Sequence, residues 1–172
     1  QKIAALKSVS SATGVFSEFT IVGKQQIHIF VRGIEPQKFR KVQPLKVKES
    51  SWQAFRKGTN TAMVGYRLME KMKWQLGKEV MIKALNLKVR IAGEIPEQGV
   101  DLADYMLVKL KYLQNARNAV GVISYVMVSP ASGVGANLAA SAIDKAFAYA
   151  PVRTKTVSAA SYAQAIIETF MG

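Results

Sequence analysis

The chain has 172 residues, no cysteine, one histidine, and 24 Lys and Arg against 11 Asp and Glu, a formal net charge of +13. These counts exclude a disulfide framework, thiolate metal sites and paired-histidine metal sites, and they suit an oxidising compartment and the cytosol equally. The length allows one domain, or a domain with an inserted lobe, able to bury about 70% of its unfolded surface without staples. The longest strongly apolar run, 120–128, is about half of what a membrane crossing needs.

Charge is uneven along the chain. Residues 1–93 carry 18 cations against 5 acids, and residues 94–172 carry 6 against 6. A field of this sign favours anionic partners such as phospholipid head groups, nucleic acid or an acidic protein, and it leaves the fold open.

In chain order, residues 2–7 read as the end of a helix that begins upstream, and 9–15 and 18–22 as short β-rich runs. Gly23 and Lys24 form a turn. Residues 25–32 then alternate, with Ile27, Ile29 and Val31 inward and His28, Phe30 and Arg32 on the other face. Gly33 and Pro36 break this strand, since proline has no donor for a central ladder. Residues 37–57 read as the least regular part of the chain. Seven cations (Lys38, Arg40, Lys41, Lys46, Lys48, Arg56 and Lys57) face one glutamate, with Phe39, Trp52 and Phe55 interleaved. Trp52 and Phe55 are expected to be exposed there and, with those cations, to form a binding surface; aromatics among cations bind single-stranded nucleic acid by stacking plus charge.

Residues 62–96 are the most patterned. A strand ends at Gly65, and Leu68, Met69 and Met72 follow helical spacing through Trp74. Gly77 is expected to cap that helix at positive φ. Val80 and Ile82, then Leu87, Val89 and Ile91, alternate with polar residues on two antiparallel strands that turn around Asn86. Trp74, Met69 and Met72 read as core rather than as a flexible apolar groove.

After Pro96 an acidic connector leads to a strand at 105–108, a helix at 109–116 and a turn at 117–119. The nearly continuous apolar run 120–128 predicts a central strand covered on both faces. A helix over 137–149 presents Leu138, Ala142, Ile143, Ala146 and Phe147 on one face and stops at Pro151. A strand at 152–157 and a final helix, capped by Ser158 and running through Phe170, complete a β-α-β-α ending.

The chemistry-bearing residues point away from catalysis. GVGANLA at Gly133 and Gly135 lacks the third glycine or alanine and the following acid of a dinucleotide fingerprint, and reads as a tight strand-to-helix turn. His28 sits mid-strand opposite an apolar face. Asp101 and Asp104, beside Glu94 and Glu97, read as a solvated acidic loop rather than a cation site. No phosphate-binding loop is present, so no catalytic residue, metal ligand or cofactor is assigned.

The order of Val64, Gly65, Leu68, Leu76, Gly77, Val80, Val89, Ile91, Gly93 and Pro96 resembles the core extracytoplasmic domain of MacB/FtsX-type ABC transporter permeases. Val31 to Pro36 (VRGIEP) resembles that family's strand followed by G-x-x-P, and 104–114 (DYMLVKLKYLQ) its strand running into a helix with a Leu-Gln pair. The resemblance implies an α/β (α+β) fold of two lobes: a membrane-proximal β-α-β lobe of 1–40 and 104–172, and a smaller β-rich insertion of 41–103. It further implies a piece of a larger membrane protein, flanked by transmembrane helices and lying on the periplasmic or extracellular side. Such a domain is non-catalytic and couples ATP-driven movement of the membrane helices to substrate export, extraction or partner engagement. Its implied partners are a second permease subunit, a cytoplasmic ATPase, a periplasmic adaptor or lipoprotein, and an anionic lipid surface. The alternative from another class is a stand-alone basic module for nucleic acid or anionic lipid.

Overall fold

A computed structural model of the chain describes residues 2–99, 102–162 and 165. Its strands are β1 (Val9–Val22), β2 (Ile27–Ile34), β3 (Thr61–Gly65), β4 (Glu79–Ile82), β5 (Leu87–Ile95), β6 (Tyr105–Lys109) and β7 (Tyr125–Pro130). Its α-helices are α1 (Pro36–Val42), α2 (Glu49–Lys57), α3 (Tyr66–Met72), α4 (Leu110–Ala116) and α5 (Ala136–Ala146). The strands form one mixed sheet in the order β4-β5-β3-β6-β2-β1-β7. The mixed α/β class follows the sequence expectation.

The chain divides into two compact units, residues 13–127 and residues 1–12 with 128–172. β3, from the expected insertion, pairs antiparallel with β6, from the expected first lobe, with Met63 opposite Leu107. The insertion's strands therefore complete the sheet of the larger unit.

In that larger unit the sheet is a middle layer. On one face Leu68 and Met69 of α3 and Leu113 of α4 pack on Ile29, Val31, Ala62, Val64, Val89 and Ile91. On the other, Phe39 of α1 and Trp52 and Phe55 of α2 pack on Ile34, Met63, Ile95 and Leu107. All five residues of β3 are buried, as a strand covered on both faces requires. The β3-to-α3 corner is tight because Gly65 lies against the backbone: a Cβ there would sit 2.1 Å from the Leu102 carbonyl oxygen. In turn the Leu68 amide donates to the Ala103 carbonyl at 3.0 Å.

Several local expectations change. The two runs in 9–22 are one strand of 14 residues, β1. The basic stretch 37–57 is helical: Pro36 begins α1, where its missing donor costs nothing, and Trp52 and Phe55 share one face of α2. The residue that ends α3 in the left-handed region is Lys73 (φ 51°), not Gly77. Gly77 does adopt positive φ (80°), but in the following turn, where its amide donates to the Ile91 carbonyl at 2.8 Å. The turn into β5 has Asn86 at φ 50° as its left-handed residue, as the spacing predicts.

Residues 118–124 form an exposed turn, with Val120 76% exposed, and β7 is an edge strand. The apolar run is thus neither central nor wholly strand. The buried Gln114 fixes that turn by donating from Nε2 to the Val122 carbonyl at 2.6 Å.

In the smaller unit, the Ser10 hydroxyl donates to the Ser129 carbonyl at 3.1 Å and the Ala131 amide to Ser8 at 2.9 Å. Ala139 and Ile143 form the buried stripe of α5, whereas Leu138 is 70% exposed. Residues 152–157 contain no strand; they are tied to α5 through Asp144, which accepts from the Thr154 and Thr156 hydroxyls at 2.9 and 2.7 Å. The hydroxyl of Ser158 accepts from the Ser161 amide at 3.1 Å, the expected cap, at the start of helical residues 159–162. The expected remainder of that helix, to Phe170, lies outside the described residues.

Candidate functional site on the basic helix pair

The candidate surface lies on α1, α2 and their connection. Both helices give their apolar positions to the sheet, which turns the intervening cations outward. On α1, Phe39 is buried while Lys38 and Lys41 are exposed and Arg40 is partly covered. On α2, Trp52 and Phe55 are only 2% and 0% exposed. The expectation that these two aromatics stand out to bind a ligand is therefore corrected. They are i, i+3 core residues, and their rings lie 5.3 Å apart at centroids.

Arg40, Lys41 and Arg56 meet around a shallow depression of about 320 Å³, together with Gln37, Glu49 and Trp52. The Arg40 guanidinium donates to Glu49 at 2.8 Å and lies 5.2 Å from the Trp52 ring centroid. Hydrogen bonds from Arg40 and then Gln53 hold the Glu49 carboxyl below the ordinary carboxylate range. Lys38 pairs with Glu35 at 2.8 Å. Lys46, Lys48 and Lys57 are exposed but do not line the depression. The structure thus gathers three of the seven expected cations at one concavity and spreads the other four around it. A cluster of this sign favours anions.

Elsewhere, His28 is exposed on β2 and meets Phe19 edge-on, ring centroids 5.4 Å apart. Asp104 is engaged by Arg67 at 2.7 Å and Lys71 at 3.0 Å, so the acidic loop is tied to α3 by two ion pairs. Its expected neighbour Asp101 lies outside the described residues. Gly133 has φ 75° and Gly135 precedes α5, which fits a tight strand-to-helix turn.

Sequence reasoning missed Lys109, whose ammonium donates to the carbonyls of Arg56, at 2.8 Å, and Gly58. Partial burial lowers its pKa. The signal available was only a lysine at the end of a strand. Of the residues weighed as core against an apolar groove, Met69 is core, and both Met69 and the half-buried Trp74 also line a groove of about 320 Å³ beside α3.

Among the described residues no helix is long and apolar enough to cross a membrane. Three solved structures share the fold. The periplasmic region of MacB from Actinobacillus actinomycetemcomitans aligns with a TM-score of 0.64 at 16% identity, over 99% of this chain and 81% of that one. The extracellular domain of the noncanonic ABC-type transporter YknZ from Gram-positive bacteria aligns at 0.61 and 17%, over 90% and 82%. A domain of a putative permease protein from Porphyromonas gingivalis aligns at 0.52 and 16%, over 82% and 64%. No curated protein matches the sequence. The MacB-like periplasmic core domain family matches residues 1–146, and the chain belongs to it, as an extracytoplasmic domain of an ABC transporter permease.

Proposed function

We propose that this domain is a non-catalytic coupling element of its permease: membrane helices driven by a separate cytoplasmic ATPase move it, and its motion engages a substrate or a partner protein. The observation that carries this reading is that residues 1–12 and 128–172 belong to one compact unit. Residues 2–12 and 128–162 thus share one unit, so membrane helices flanking the domain would act on it together. We assign that unit to the membrane-proximal side. Residues 13–127 form the unit that meets partners: a second permease subunit, a periplasmic adaptor or a lipoprotein. Coupling then means that partner affinity differs between two arrangements of the transporter.

Non-catalysis is supported by the setting of His28, whose ring meets Phe19 edge-on rather than a nucleophile it could activate. The rival reading as a stand-alone basic module loses its stacking platform, since Trp52 and Phe55 are core residues.

Hydrogen exchange on the intact transporter tests the coupling. Backbone protection in residues 2–12 and 128–162 is expected to change between nucleotide-free and ATP-bound states. Identical exchange in both states overturns the coupling role. The isolated chain is expected to turn over no ATP, peptide or phosphoester; activity that one substitution abolishes overturns non-catalysis.

A further inference from the structure

The carboxylates of this cation-rich domain are mostly engaged. Glu18, Glu35, Glu49, Glu79 and Asp104 are in ion pairs, and Asp144 is held by threonines. Among the described residues Glu70, Glu94 and Glu97 alone have neither a salt bridge nor a side-chain hydrogen bond. Two of these three, Glu70 and Glu94, line the same groove of about 320 Å³ beside α3.

The groove is of mixed character, with two aromatic rings and a methionine among four charged or polar side chains. Tyr66 and Trp74, both half-buried, and Met69 line it with the two glutamates, Gln75 and Lys73. The Arg67 guanidinium, paired with Asp104, lies 5.8 Å from the Tyr66 ring centroid, which leaves Trp74, among the described residues, as the groove's ring with no cation over its face. Glu94 is placed there by the sheet, since β5 runs parallel to β3 with Glu94 opposite Val64, next to the start of α3. Glu70 comes from the exposed side of α3 itself. With 18 cations against 5 acids in residues 1–93, this is a local reversal of sign on a basic surface.

We propose that this groove binds an alkylammonium group carried on an apolar body, with Glu70 and Glu94 neutralising the charge and Trp74 and Tyr66 stacking on its methylene or N-methyl face. Cations are attracted to the face of an aromatic ring, most strongly tryptophan, and two carboxylates at the mouth add Coulomb attraction that water only partly screens. The group has two sources with this chemistry: a free organic amine, or a lysine side chain of a partner. The site is separate from the basic helix pair, and its sign selects the opposite class of ligand.

Tryptophan fluorescence reads the site directly, because Trp52 is in the core and Trp74 lines the groove. Benzyltrimethylammonium is expected to change the emission saturably, and benzyl alcohol, which lacks the charge, is not. A capped Leu-Lys-Leu peptide is the second arm. Saturation by the small amine supports a free-amine ligand, and saturation by the peptide alone supports a partner lysine. Glu70→Gln and Glu94→Gln are each expected to weaken binding about five- to thirtyfold while leaving the melting temperature unchanged, since both side chains are exposed. No saturable response to either probe, or equal binding by the charged and neutral probes, overturns the proposal. So does undiminished binding by the double Gln variant.

Discussion

The Lys109 ammonium donates to the Arg56 carbonyl at 2.8 Å and so closes the C-terminal end of α2 from β6. A cation at a helix C-terminus also meets the negative end of the helix dipole. Lys109→Met is expected to lower stability by about 1 to 2 kcal/mol, because the carbonyls of Arg56 and Gly58 lose a charged donor. Chemical denaturation checks this, and a melting curve unchanged from the parent would show that water replaces the lysine at no cost.

Gly65→Ala and Gly77→Val separate two reasons for glycine. The first would place a Cβ 2.1 Å from one carbonyl oxygen and 2.3 Å from another. Its expected cost is about 3 kcal/mol or more, since backbone must shift. At Gly77 nothing lies within 4 Å of an added Cβ, so only the positive φ is penalised, at about 1 kcal/mol. Equal losses for both, measured by urea unfolding, would contradict this ordering.

Trp52→Ala is expected to cost about 3 to 5 kcal/mol, as a large core deletion does. Any loss of ligand binding in that variant should track the loss of folded protein. Binding lost from a fully folded Trp52→Ala chain would restore the idea that its ring meets a ligand.

On the basic helix pair, replacing Lys38, Lys41, Lys46 and Lys48 by Gln is expected to weaken association with anionic vesicles or an acidic partner, by up to about 1 kcal/mol per charge. Stability should hardly change, because exposed charges contribute little. Co-sedimentation at two salt concentrations checks both points; binding insensitive to salt and to the substitutions would reduce the surface to a solvated one.

Hydrogen bonds from Thr156 first, and Thr154, hold the Asp144 carboxyl below its ordinary value of 3.8. A depressed carboxyl contributes its tether fully above pH 3.8 and loses it as pH falls through the lower folded value. Asp144→Ala should release residues 152–157 at neutral pH. Trypsin is then expected to cut after Arg153 and Lys155 sooner than in the parent, and an unchanged digestion rate would show that the tether does not restrain this segment.

Legibility in the sequence followed the strength of the local pattern. β2 and the β4–β5 pair were readable because polar and apolar residues alternate cleanly where one face is covered and the other is wet. α1 and α2 were not, because each buries only one or two side chains and seven cations surround them; the aromatics looked like ligands when they were anchors. The run at 120–128 misled for the opposite reason. Its apolarity suggested a covered strand, yet Val120, Val122 and Ile123 form an exposed turn, and composition alone does not distinguish a covered strand from an exposed apolar loop. The acidic lining of the groove beside α3 was not legible because Glu94 and Glu70 are 24 residues apart in sequence and come to one groove only through the β3–β5 pairing.

The chain enters the larger unit along β1 and leaves it along β7, and these are neighbouring strands; just before β7 the Ser124 amide donates to the Val15 carbonyl of β1 at 2.8 Å. The first and last residues of 13–127 are thus delivered by paired strands. A segment with adjacent ends can be joined head to tail by a short linker or set into the loop of another scaffold. The larger unit is in that sense a cassette, exchangeable between carriers at two neighbouring cut points.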